Sequence, residues 1–386
     1  MRIGIDASRY KIDEPTGVEW YSYHLLNNLI PLLGRFHQHE VIIFANENFK
    51  SSHKFPFDLP FNVQLKIIER SKHWTQIGLW KALKEEKINL LFVPSHIAPL
   101  LYGGQLVTTI HDIAFKIPEL KTSYGWKERL FLNLTTAWML IRAKKIIAPS
   151  KATANDLRKY YKWTGLKNKI EVVFHGGMER SGENNPLLLK WKVEVTSVLN
   201  KKLGLEKNDK FMLYVGRIEL KKNLLKIVEA FKLFSEKHSN WKLVLAGKNG
   251  HGAEVIKEKI RELSLEKLVI STGYVGENEK KYLLSKTELM LFPSLYEGFG
   301  LPILEAFAFK KPVITSSSSS MPEVAGKAAH LVNNNSVEEI YEGMLKLVEN
   351  PKYREKLIGN IDKQLEKFDW QKCAEETMEV LMESLS

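Results

Sequence analysis

Cysteine is almost missing from this sequence. A single thiol, Cys373, in 386 residues excludes an intrachain disulfide and a multi-thiolate metal site. Long apolar runs are missing too: the uncharged apolar run at residues 130–141 has 12 residues, short of the roughly 18 that span a bilayer. The opening residues Met1-Arg2-Ile3-Gly4-Ile5-Asp6 reach an acid before any hydrophobic segment, so no secretory leader is expected. No Asp-x-Asp pair occurs, which leaves a metal held against a diphosphate by paired aspartates without support. Low-complexity sequence is confined to the serine run at 316–320, and no internal repeat is visible.

What is present fits an enzyme-sized globular protein. At roughly 100–200 residues per domain the length predicts two or three domains. A hydrophobic fraction of 44% with 26% charged residues is ordinary for folded chains. The expected location is the reducing cytoplasm. The formal net charge is +12 and is unevenly placed, since residues 1–200 hold 28 Lys and Arg against 18 Asp and Glu. Residues 116–169 alone hold 13 basic and 3 acidic side chains, interleaved with Tyr124, Trp126, Phe131, Trp138, Tyr160, Tyr161 and Trp163. Three readings apply to this block. It is a cationic, aromatic surface resting on anionic lipid at the inner face of the membrane, or a core helix at 130–141 with solvated flanking cations, or a nucleic-acid surface. The last lacks any helix-turn-helix, zinc or RNA-binding motif, so no nucleic-acid partner is expected.

Short β-rich runs at 2–6, 41–44, 90–93, 107–110 and 145–148 alternate with helical or polar segments. Residues 17–33 place Trp20, Tyr23, Leu26, Leu29 and Ile30 at helical spacing. The alternation restarts at 211–215, 242–246, 269–272, 290–293 and 312–314, with amphipathic helices at 223–235 and 253–263. Strands alternating with helices predict parallel sheets covered on both faces, here two α/β halves. The expected boundaries are a first domain at 1–175, a linker at 176–209 with a helix near 187–203, and a second domain at 210–369. A C-terminal helix at 370–386 is expected to rejoin the first domain, and residues 352–386 as a whole read as helical.

Three strand-end motifs carry chemistry. The stretch FPSLYEGFGLPILEA, from Phe292 to Ala306, runs from strand through a glycine loop to a helix start at Pro302, where a missing N–H costs nothing. Free N–H groups and the positive end of a helix dipole at such a junction favour a phosphate. Glu297 and Glu305 flank the loop as acceptors for sugar hydroxyls; the plain alternative is a glycine turn with two solvated glutamates. Gly216-Arg217 with Lys221-Lys222-Asn223 follows the first strand of the second half, where ligands of open α/β sheets bind and where cations suit a diphosphate. Solvated surface is the alternative there. His111-Asp112 follows the strand at 107–110, and a histidine at a strand end is either structural or catalytic.

Together these residues resemble the retaining glycosyltransferases of family 4, which have the GT-B fold of two Rossmann-like parallel-sheet domains facing across a cleft. The resemblance spans nearly the whole chain. It rests on Glu297 and Glu305 within EGFGLPILEA, on Gly216, Arg217, Lys221, Lys222 and Asn223, and on His111-Asp112. The stretches IDAS (5–8), TGVEWYSYHLL (16–26), APSKATANDL (148–157) and MPEVAGKAA (321–329) extend it. In style it is similar to bacterial mannosyl- and rhamnosyltransferases of surface-polysaccharide assembly.

The resemblance implies hexose transfer from a nucleotide-sugar donor, GDP-mannose first and a UDP-sugar second, to a glycan or glycolipid acceptor. It places the donor on the second domain and the acceptor on the first, with no metal cofactor. It implies that Arg217 and Lys222 bind the donor diphosphate and stabilise the charge building on it. Gly17, Gly216, Phe299, Gly300 and Leu301 approach the donor through backbone groups. Glu297 takes sugar hydroxyls, Glu305 the ribose, Tyr274 and Val275 lie near the base, and His111 lies beside the reacting sugar. An epimerase or phosphorylase on the same fold, or a non-catalytic sugar-nucleotide-binding protein, are the alternatives. One departure from the family pattern is Lys310, which stands where a helix-ending glycine is frequent.

Overall fold

The computed structural model describes residues 1–11, 13–47, 49, 55–69, 73–166, 168–178 and 210–385. The expected linker beyond residue 178 and the helix near 187–203 lie outside the described residues. The chain divides into two compact units, Met1–Gly176 with Phe368–Ser386, and Gly177–Lys367.

The first unit holds a seven-stranded parallel sheet in the order β3-β2-β1-β4-β5-β6-β7. Its strands are β1 Arg2–Asp6, β2 Glu40–Asn46, β3 Val63–Ile68, β4 Leu90–Val93, β5 Gln105–Thr109, β6 Lys145–Ala148 and β7 Ile170–Val172. Its principal helices are α1 Gly17–Leu33, α2 Trp80–Glu85, α3 Trp126–Arg142 and α4 Lys151–Tyr160. The start of α1 is set locally: the Glu19 carboxylate accepts from the Thr16 N–H at 2.8 Å, closing a capping box. Its Leu25, Leu26, Leu29 and Ile30 are fully buried, while Trp20 and Tyr23 remain half-buried at the helix start.

The second unit holds a six-stranded parallel sheet in the order β10-β9-β8-β11-β12-β13. These are β8 Lys210–Val215, β9 Trp241–Ala246, β10 Val269–Gly273, β11 Leu289–Phe292, β12 Val313–Ser316 and β13 His330–Val332. Helices α5 Leu224–Lys237, α6 Ala253–Glu262, α7 Glu277–Lys286, α8 Leu301–Ala308, α9 Met321–Ala325, α10 Val337–Glu349, α11 Pro351–Ile358 and α12 Ile361–Leu365 accompany it. The central strands β4 and β11 are buried at every position, as double coverage of a parallel sheet requires. In both sheets the winding direction reverses beside the first strand, between β1 and β4 and between β8 and β11. Ligands of doubly wound sheets bind at the carboxyl ends of strands at such reversals.

The last helix, α13 Trp370–Leu385, packs on α1 and buries Trp370, Cys373, Ala374, Thr377, Val380, Leu381 and Leu385 at helical spacing. The single helical tail expected at 352–386 is three helices. Breaks fall at Gly359-Asn360 and before Asp369, whose carboxylate accepts from the Lys372 N–H at 2.9 Å. Lys310 does adopt the left-handed conformation, with φ 55°, after α8. Its ammonium pairs with Asp362.

Candidate active site

The loops after β8 and β11 are neighbours across the second reversal point, and most of the singled-out residues lie on them. After β8, Tyr214 sets the course of the chain. Its ring is fully buried and its hydroxyl donates to the Arg217 carbonyl at 2.7 Å. Burial, reinforced by the Glu297 and Glu219 carboxylates, pushes the Tyr214 phenol well up, so it remains a donor. Gly216 keeps its N–H on the Ala246 carbonyl at 2.9 Å. The Arg217 side chain is exposed, and among the described residues no side chain holds its guanidinium. The loop closes in a 3-10 turn at Leu220–Lys222, then Asn223 at φ 64°.

Lys222 and Glu297 meet directly. The Lys222 ammonium donates to both Glu297 carboxylate oxygens, at 2.7 and 2.9 Å, with each side chain only 14% exposed. Lys221 lies 3.6 Å from Glu219 instead. The glycine loop then leads into α8. Gly300 sits just before the helix at φ 117°, a conformation that favours glycine, and Leu301 and Pro302 form the first turn. Phe299 is buried at the foot of this turn.

Glu305, one turn into α8, is buried and accepts from the Lys280 ammonium at 2.7 Å. Glu277 holds the same ammonium at 3.0 Å. Burial disfavours the charged lysine, but the two carboxylates outweigh it and keep its pKa above the ordinary lysine value. Lys280 was not foreseen, because its partner stands 25 positions away in sequence. Tyr274 and Val275 follow β10 on the same strand-end side, and the Lys248 ammonium lies 4.8 Å from the Tyr274 ring centre. Lys248 is a second unforeseen cation; it follows β9 in a glycine-bounded turn.

Gly17 and His111 belong to the first unit. Gly17 opens α1, and a Cβ there would meet nothing within 4 Å. His111 follows β5, and its Nε2 lies 2.9 Å from the Pro94 carbonyl at the end of β4. Burial lowers the imidazole pKa, against the Pro94 carbonyl and Asp112, which act the other way. A carbonyl only accepts, so the neutral ring carries its proton on Nε2 and presents Nδ1 as an acceptor. The ring packs edge-on to Tyr21 at 4.8 Å and lies 5.6 Å from His175, which stacks on Trp370 of α13 at 5.9 Å. The final helix therefore supports the histidine shelf, a contact with no local sequence signal.

The core-helix reading of residues 130–141 holds for one face of the helix, where Ala137, Met139 and Leu140 join the buried core with Leu132 and Trp138 packed against them, and not for the other. On α3, Trp126, Leu130, Phe131, Leu134 and Ile141 are each more than half exposed, and the buried side chains are Thr136, Ala137, Met139 and Leu140.

Two family models divide the chain between them. The model described as Glycosyltransferase Family 4 matches residues 15–176, the range that holds Gly17 and His111. The model described as Glycosyl transferases group 1 matches residues 196–364, which hold the site residues of the second unit. The chain is 27% identical over 278 residues to O-antigen chain mannosyltransferase B of Escherichia coli, spanning 70% of this chain and 68% of that one. It is 24% identical over 283 residues to O-antigen chain mannosyltransferase RfbU of Salmonella typhimurium, spanning 72% and 70%. Among solved structures, Anabaena HepE in complex with UDP and glucose superposes with a TM-score of 0.71 at 16% identity over 99% of each chain, a likeness of fold. With two α/β sheets of the GT-B kind and both halves matched by models of one enzyme class, the chain belongs to the group 1 glycosyltransferases, its first half a glycosyltransferase family 4 domain.

Proposed function

We propose that this protein transfers a hexose from a nucleotide-sugar to a glycan or glycolipid acceptor in surface-polysaccharide assembly, with retention of anomeric configuration and without a bound metal. The observation that carries it is the paired Lys222 and Glu297 at the β8/β11 reversal, with exposed Arg217 on the same loop. Arg217 and Lys222 neutralise the diphosphate and the charge that grows on it as the glycosidic bond breaks. Glu297 accepts from hydroxyls of the transferred sugar. Glu305, held rigid by Lys280, accepts from the ribose, and Tyr274 and Val275 border the base. Gly17 and the backbone of Gly216, Phe299, Gly300 and Leu301 approach the donor closely. In the first unit, His111 offers neutral Nδ1 to a sugar hydroxyl. Retention follows from same-face substitution through an oxocarbenium-like state, the departing phosphate taking the acceptor proton.

GDP-mannose is the first choice of donor, supported by the two mannosyltransferase relatives, and a UDP-sugar is the second, supported by the UDP in HepE. The test is a donor screen that reads released nucleotide with and without chelator. Turnover is expected with GDP-mannose and unchanged by chelator. Strict dependence on added divalent metal contradicts the metal-free route, and no turnover of any nucleotide-sugar favours the non-catalytic alternative.

The proposal includes peripheral attachment to anionic lipid through α3, supported by the outward stripe of Trp126, Leu130, Leu134 and Ile141. Around the stripe lies the cationic block, with the Lys127 ammonium 5.5 Å from the Trp126 ring centre. Exposed Trp163 and Lys162 stand on the next turn, which the Tyr161 hydroxyl ties to Asn133 of α3 at 3.0 Å. Apolar side chains ringed by cations suit the interface of a charged bilayer. Vesicles with phosphatidylglycerol should cosediment the protein, and Phe131→Glu with Leu134→Glu should weaken this about tenfold or more, as should raised salt. Equal binding to neutral phosphatidylcholine vesicles, or none to either, would sink the idea.

A further inference from the structure

The serine run at 316–320 looked like low complexity in the sequence, and Asn334 carried no motif. In the fold they grip the catalytic loop. The segment 293–299 between β11 and α8 has no strand ladder to satisfy its carbonyls, and side chains from distant loops do so instead. Asn223 Nδ2 donates to the Pro293 carbonyl at 3.0 Å and to the Asn334 carbonyl at 2.7 Å. Asn334 Nδ2 is within reach of the Ser294 carbonyl at 3.1 Å, the Leu295 carbonyl at 3.3 Å and Ser318 Oγ at 2.9 Å. The Leu295 N–H donates to the Lys221 carbonyl at 3.0 Å. Ser320 Oγ reaches the Phe299 carbonyl at 2.5 Å and the Glu297 carbonyl at 2.9 Å. Ser319 Oγ donates to the Glu297 carbonyl at 2.6 Å and accepts from the Glu297 N–H at 3.3 Å.

Two further observations mark this as more than loop filling. Asn223, Ser320 and Asn334 are buried, so each bond is shielded from competing water. Ser319 holds φ 55°, a conformation costly for a residue with a Cβ, while its hydroxyl brackets both backbone polar groups of Glu297. Glycine would relieve that backbone strain and lose the bracket. The bonds join the Lys221–Asn223 turn to the Pro293–Leu295 backbone, partly through Asn334, and tie the Glu297–Phe299 backbone to the serine run.

We infer that Ser319, Ser320 and Asn334 are positioning residues that hold the Lys222 turn and the Glu297 loop in register, and so set the Lys222–Glu297 pair for the reaction. The inference deepens the transfer reading above and rests on it. A misplacement near 1 Å at a reacting centre lowers rates about a hundredfold. The variants are Ser319→Gly, Ser320→Ala and Asn334→Asp, the last isosteric but unable to donate to the two carbonyls.

Each variant, assayed well below its melting midpoint, should lose about ten- to a hundredfold in kcat, with a smaller change in donor KM. Ser319→Gly should do so with its melting temperature unchanged or raised, which a merely structural role does not produce. Amide hydrogen exchange of the segment 293–300 should rise in all three, a readout that needs no turnover. If wild type turns over no nucleotide-sugar while exchange rises in the variants, the transfer reading fails and the bracing stands. Wild-type kcat together with wild-type exchange overturns the inference, as does lost stability with unchanged kcat.

Discussion

Lys222→Ala should lower kcat by at least tenfold, and toward the hundred- to thousandfold seen when a transition-state charge stabiliser is removed, about 3–4 kcal/mol. The ammonium is only 14% exposed and is held at 2.7 and 2.9 Å by Glu297, so its position is fixed before any donor arrives. A fixed cation is worth most where water is scarce and where charge develops during the reaction. Alanine removes it and leaves the Glu297 carboxylate without its counter-ion, so some loss of stability accompanies the loss of rate. Arg217→Ala removes an exposed guanidinium with no side-chain partner among the described residues and should act on rate with little effect on melting. Steady-state turnover paired with thermal unfolding of both variants is the measurement. Wild-type turnover in both would take these cations out of the mechanism.

Gly247→Ala should disable the same site from outside it. A Cβ on Gly247 would come 1.9 Å from the Gly216 carbonyl oxygen and 2.7 Å from its carbonyl carbon. Both are backbone atoms of the loop that presents Arg217, and neither has a side chain's freedom to turn away. The Gly216 N–H is tied to Ala246 and the Gly247 N–H to the Gly273 carbonyl, each at 2.9 Å, so relief requires breaking a contact between strand ends. Overpacking of this kind costs about 1–3 kcal/mol or more. Turnover should fall at least as far as in Arg217→Ala. Gly103→Ala is the control, since a Cβ there meets nothing within 4 Å and stability should not change. A Gly247→Ala protein that melts and turns over like wild type would show that the two loops separate freely.

The two α/β halves were legible because buried parallel strands read as short apolar runs, and β4 and β11 are apolar throughout. The edge strands β3, β7 and β13 were not foreseen. Two of them have three residues, IEV and HLV, and β3 is only partly buried, so a hydrophobic run does not announce them. Glu297, Lys222 and His111 could be singled out because strand-end loops carry their residues in compact motifs. The pairing of Lys222 with Glu297 crosses 75 positions and that of Lys280 with Glu305 crosses 25, and no local pattern encodes either. The serine run was misjudged for the same reason: its hydroxyls act on backbone some 22 positions earlier. For α3 the spacing of apolar residues was visible but not which face meets the core, and the burial of Thr136 and Ala137 instead of Leu130 and Leu134 decides it.

The Lys222–Glu297 pair has a consequence for how a nucleotide is found. A cation with its counter-ion 2.7 Å away projects almost no field into solvent, because the two charges cancel beyond their own separation. Lys222 therefore acts only at contact, once a phosphate competes for it directly. Long-range attraction in the second unit falls to exposed cations such as Arg217 and Lys248, and these are the charges that dissolved salt screens. Capture thus falls to the exposed cations, of which Arg217 goes on to serve the reaction, while Lys222 acts at contact alone: ionic strength governs how fast the donor arrives and leaves the strength of its final grip on Lys222 nearly untouched.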